Sequence, residues 1–121
     1  MFKRFTTNPK HETSDCAIRS FANAEGKEWR EVAEEIFQMA LDEFLMPNDF
    51  SIISKYAEKH GYEEGYVFPD NPINVEQFAQ KHSTGKWVVL LEDHAMSVID
   101  GDWYDLVDCS EYPVVSYWEI K

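Results

Sequence analysis

The chain has 121 residues, enough for one small domain with a single hydrophobic core and too few for a second. It carries 11 Lys and Arg against 23 Asp and Glu, a net charge of −12, and that balance excludes direct grip on a nucleic-acid backbone or an anionic lipid surface. Hydrophobic residues make up 44% of the chain, so a folded core is expected rather than disorder. The longest apolar run, Trp87 to Leu91, is far shorter than the ~20 residues of a membrane-spanning helix. The first residues carry charge with no apolar stretch behind it, so no signal peptide is read there and a cytoplasmic location is expected. Cys16 and Cys109 are then two separate thiols, without the spacing of a zinc site.

In chain order, Thr6 to Ser14 reads as a polar extended arm. Asp15 suits a helix N-cap, with Cys16 at the first helical position and Gly26 as the left-handed stop. A second helix begins near Glu28. Its apolar residues Trp29, Val32, Ala33, Ile36, Phe37, Ala40, Leu41, Phe44 and Leu45 recur at three-four spacing, and Pro47 stops it. Asn48 is expected to cap a third helix that Gly61 closes. Tyr66 to Phe68 suggests a short strand, and Asn74 caps a fourth helix.

After Gly85 the period changes. Trp87 to Leu91 predicts a central strand, Ala95 to Ile99 a second, Trp103 to Val107 a third and Val114 to Ile120 a fourth. Helices first and strands after them predict an α+β domain over residues 1–121, with helices packed on a C-terminal antiparallel sheet. The four tryptophans read as core anchors.

The chemistry centres on Cys16. A thiol in the first turn of a helix feels the positive end of the dipole, which favours the thiolate; Asp15 beside it opposes this, and a small buried hydrophobe is the plainer alternative. Of the four histidines, His94 stands apart because it opens a strand among apolar neighbours. A three-residue loop over Asp100 to Asp102 would set His94 opposite Asp108. A two-residue Asp100-Gly101 turn would set it opposite Val107 instead. Under the first register Asp105 falls on the opposite face from Asp108. Arg19, one turn after Cys16, reads as a solvated side chain or a cleft residue. Glu92 and His94 alone make too few ligands for a metal, and no cofactor is expected.

The order of a helix-start cysteine, then His and Asp on a hairpin, resembles the papain-like cysteine peptidase fold, including its C39-type members. More closely, the chain resembles small phage and prophage proteins of that type. The matching pieces are Asn8-Pro9, Asp15 through Arg19, Gly26 through Trp29, Met46 through Asp49, and His94 through Asp108. The resemblance implies a thiol hydrolase acting on a peptide, isopeptide or other amide bond in a bacterial host cell. Cys16 would be the nucleophile, His94 the base and Asp108 its orienter. Where the family places a glutamine six residues before the cysteine, this chain has Lys10, and Asn8 is the nearest amide for an oxyanion. The other function class is a non-catalytic acidic phage protein on the same scaffold that inhibits a host protein, such as one that binds nucleic acid.

Overall fold

The computed structural model describes residues 1–5 and 15–121. Four helices and six strands run in the order β1 (Phe2–Arg4), α1 (Cys16–Glu25), α2 (Trp29–Glu43), α3 (Phe50–Lys59), β2 (Glu64–Tyr66), α4 (Val75–Lys81), β3 (Lys86–Leu91), β4 (His94–Ile99), β5 (Asp102–Asp105) and β6 (Ser116–Ile120), counted among the described residues. The strands form one sheet in the order β1-β5-β4-β3-β6-β2.

The α+β class holds, but the sheet is mixed. β1 lies parallel to β5, pairing Phe2 with Trp103 and Arg4 with Asp105, while every other neighbouring pair is antiparallel. β1 and β2 are three-residue edge strands outside the C-terminal block; the short strand expected at Tyr66 to Phe68 lies two residues earlier, at Glu64–Tyr66, and β1 is too short to show a period in sequence. The segment 6–14, expected as an extended arm, lies outside the described residues.

The run Trp87 to Leu91 is apolar throughout because β3 is covered on both faces. Val88 packs with Phe21, Ile36, Ile52, Tyr56 and Trp118, which come from α1 to α3 and β6. Its neighbour Val89 packs with Val75, Phe78, Met96, Val98 and Trp103, which come from α4, β4 and β5. Successive side chains on a strand point to opposite faces, so the two clusters are two layers divided by the sheet. Trp103 and Trp118 are core residues as expected, whereas Trp29 and Trp87 are only partly buried.

The helix ends show where local chemistry decides. Gly26 takes φ 69° and closes α1. Asn74 and Gln77 form a reciprocal capping box at α4. α3 is capped by Asp49, whose carboxylate accepts from the Ser51 N–H, and not by Asn48. α2 ends at Phe44 in the left-handed region, φ 58°, three residues before Pro47. Only part of the expected apolar face of α2 is used: Val32, Ala33, Ile36 and Ala40 are buried, whereas Phe37, Leu41, Phe44 and Leu45 are exposed. No helix of the described residues is long and apolar enough to cross a membrane.

Candidate active site

Cys16 is the first residue of α1, with Asp15 at the N-cap position. α1 packs against β4 and β3. Its start therefore meets the start of β4, where the chain has turned through Glu92 and Asp93, the latter at φ 58°. The Cys16 thiol lies within hydrogen-bonding reach of the His94 ring and of the Ala95 N–H. His94 Nε2 is 2.6 Å from Asp105 Oδ2. With Nε2 committed to the carboxylate, Nδ1 is the nitrogen left for the thiol.

The expected carboxylate was Asp108, and that pairing is not made. The β4–β5 turn uses two residues, Asp100 and Gly101, at φ 50° and 83°, so Ile99 pairs with Asp102 and Ser97 with Tyr104. Strand alternation then puts Asp105 on the same face as Met96 and His94, one diagonal step from the histidine. Asp108 lies beyond the end of β5. It accepts from Trp103 Nε1 at 3.0 Å and from the Ser110 N–H at 3.0 Å, bonds that hold its carboxyl below the usual range. Asn8, the oxyanion candidate, lies outside the described residues.

Asp105 is buried, with 2% of its surface exposed. Its Oδ1 accepts from Arg19 at 3.3 Å and from the Leu106 N–H at 2.8 Å. Arg19 is buried too, which corrects the expectation of a solvated side chain. Its other nitrogen donates to Asp15 Oδ1 at 2.6 Å, and Asp15 Oδ2 accepts from Trp29 Nε1 at 2.7 Å. Asp15 therefore binds side chains and makes no capping hydrogen bond to α1. One buried cation between two buried carboxylates ties the helix that carries the thiol to the strand that carries Asp105.

These contacts set the charge states. Burial pushes the Cys16 thiol up, but the hydrogen bonds from His94 and Ala95 and the charges of His94 and Arg19 outweigh it, so it lies below an ordinary thiol. The Asp105 hydrogen bond, then that of Cys16, overcome burial and raise His94 to about 9. The directions agree, and both move the pair toward thiolate and imidazolium. Cys109 is the opposite case. Burial, then the Asp105 charge, push its thiol up to about 12, so it remains a protonated donor to Asp105.

Sequence reasoning brought Cys16 and His94 together, left Arg19 between solvent and cleft, and chose Asp108 over Asp105. The Asp-Gly dipeptide was the available signal for Asp105, since it favours a two-residue hairpin turn. For Arg19 the signal was the four-residue spacing from Asp15.

A second polar cluster lies at the other end of α1. Glu25 accepts from the hydroxyls of Tyr56, at 2.6 Å, and Tyr62. A cleft of about 490 Å³ opens there, lined by Glu25, His60, Tyr62 and Lys86 among others, and it includes none of Cys16, His94 or Asp105. No group of three or more His, Cys, Asp or Glu able to hold a metal occurs among the described residues. No family model, curated protein or solved structure matches the chain.

Proposed function

We propose that the protein is a papain-like cysteine hydrolase, of phage or prophage type, that cleaves a peptide, isopeptide or other amide bond. One observation carries the reading: Cys16, His94 and Asp105 form a hydrogen-bonded line in which the thiol is pulled down and the imidazole pushed up. Cys16 Sγ attacks the substrate carbonyl as the thiolate. Charge builds on the carbonyl oxygen beside the start of α1, where the first backbone N–H groups lack partners within the helix. The His94 imidazolium then gives its proton to the leaving amine, and a thioester remains on Cys16. His94, now neutral, takes a proton from water, whose oxygen attacks the thioester. The acid leaves, and the thiolate–imidazolium pair is restored. Asp105 holds the imidazole in one orientation and stabilises its charged form.

The test is iodoacetamide labelling at pH 6.5, read by mass spectrometry. Cys16 is expected to react at least tenfold faster than a free cysteine peptide, and the His94→Ala variant is expected to lose that advantage. A Cys16 that reacts no faster than the peptide ends the enzyme reading. It would leave the binding reading, an acidic protein that blocks a host protein, which the exposed apolar flank of α2 supports.

A further inference from the structure

The cleft at the C-terminal end of α1 gathers positive charge on a chain that is strongly acidic. Among the described residues that line it are three of the chain's eight lysines, Lys27, Lys86 and Lys121, and one carboxylate side chain, Glu25. α1 has ten residues and spans about 15 Å, which separates the cleft from Cys16 at the other end.

Regular backbone positions these cations. Gly26 at φ 69° turns the chain out of α1, and the Lys27 N–H donates to the Ala22 carbonyl at 2.9 Å, which sets Lys27 just past the helix end. Lys86 opens β3 and pairs with Ile120 of β6. Their side chains therefore share the face of the sheet on which Val88 and Trp118 pack under α1 to α3, whereas Glu119 projects from the other face. Asp100 is committed to the rim: its Oδ1 accepts from the Gly85 N–H at 3.0 Å.

The charges do not cancel within the cleft. Both oxygens of Glu25 accept from hydroxyls, Oε1 from Tyr56 at 2.6 Å and Oε2 from Tyr62, and Lys27 Nζ lies 3.7 Å from Oε2. His60 Nε2 is 2.8 Å from Glu35, which also pairs with Lys59 at 3.2 Å. Glu25 thus balances Lys27. Lys86 and Lys121 make no side-chain ion pair or hydrogen bond among the described residues, on a chain with 23 Asp and Glu.

Two unpaired lysines suit one group with about two negative charges. A phosphate monoester carries roughly −1.5 to −2 at pH 7. Lysine meets a phosphate as a point charge and needs no forked geometry to do so. The volume of about 490 Å³ falls within the ~300–1,000 Å³ of small-ligand pockets, and Ile120 and Tyr62 give it apolar walls. A polynucleotide would carry its further phosphates onto the surrounding acidic surface, so the charge favours a small molecule.

We propose that this cleft binds a small phosphomonoester, with its phosphate on Lys86 and Lys121 and its organic part against Ile120 and Tyr62. The proposal is independent of the reading of Cys16 as a nucleophile.

Calorimetric titration with phenyl phosphate, inorganic phosphate and phthalate tests this. Phenyl phosphate is expected to bind one to one, about fivefold or more tighter than inorganic phosphate, which lacks the organic part, and than phthalate, an aromatic dianion without phosphate. Lys86→Gln and Lys121→Gln, both at exposed positions, should each weaken phenyl phosphate by about fivefold or more, as for a lost charged contact. Lys81→Gln, an exposed lysine of α4 outside the cleft, should leave the affinity unchanged. Equal melting temperatures show that the variants keep the fold. No saturable binding of phenyl phosphate up to about 10 mM overturns the proposal, a limit that corresponds to under about 3 kcal/mol of binding. So does phenyl phosphate affinity that survives both cleft substitutions, or phthalate or inorganic phosphate binding as tightly as phenyl phosphate.

Discussion

Asp105 and Asp108 lie three residues apart and do different work. Asp105 faces His94, Arg19 and the Leu106 N–H, while Asp108 fastens Trp103 and the turn at Ser110. Asp105→Asn removes the charge that sustains the imidazolium, so Cys16 should hold its proton to higher pH. Its iodoacetamide rate at pH 6.5 should drop about tenfold or more, in keeping with a thiolate fraction set by the paired base. The same variant leaves Arg19 with one buried carboxylate in place of two, and its stability in urea should fall by roughly 3 kcal/mol, as for a broken buried pair. Asp108→Asn should leave the labelling rate within about twofold of wild type, because a thiolate fraction responds to the charges near it. The pH dependence has a fixed sign. Thiolate forms as pH rises through the lowered value of Cys16, and the imidazolium needed to protonate a leaving amine is lost as pH rises through about 9. Hydrolysis of a peptide anilide should therefore rise, level and then fall near pH 9, and in Asp105→Asn the falling limb should move to lower pH. A falling limb that stays in place would remove His94 as the acid. Cys16 was legible because a helix start is readable from Asp15 and the apolar spacing behind it. Asp105 was not, because one extra residue in a turn reverses which side chains share a face.

At the level of elements, legibility followed burial. β3 and the buried face of α2 announce themselves by period, because each must fill a layer of core. β1 does not, and β2 is expected two residues late, because three residues at a sheet edge bury too little to impose a pattern. The end of α2 belongs to neither group. Phe44 is 95% exposed and sits at φ 58°, where a side chain clashes with its own backbone and only glycine is at ease. Folding stability alone would not place an aromatic ring there. Phe44→Gly should raise the melting temperature by a few degrees, corresponding to about 1 kcal/mol of relieved strain. Calorimetry checks this, and a lowered melting temperature would mean that the ring makes contacts that stabilise the loop to Pro47. The sequence period counted Phe37, Leu41, Phe44 and Leu45 as core, because spacing records which side of a helix is apolar and not how much of that side a partner covers.

Across the whole molecule, the charge is unevenly spread. The sheet from β3 through β6 has Lys86 at its start and no further Lys or Arg before Lys121, while Arg4 of β1 pairs with Asp105, and the chain as a whole stands at −12. Labelling of Cys16 by a cationic peptide chloromethyl ketone should slow as sodium chloride rises from 50 to 500 mM, because the net charge attracts the reagent and screening over ~10 Å at 0.1 M shortens the reach of that attraction. The neutral reagent iodoacetamide should show far less change. A cationic reagent indifferent to salt would mean that the net charge is not felt at Cys16. The tie between Arg19 and Asp105 has a consequence in time. It joins residues 86 positions apart, and pairings of such separation form late in folding. As the chain leaves the ribosome, the helix bearing the thiol is made long before the hairpin that activates it. Until that hairpin arrives, Cys16 lacks the His94 imidazole that lowers its thiol. If Cys16 is the nucleophile, a chain that lacks β5 should label with iodoacetamide no faster than a free cysteine peptide.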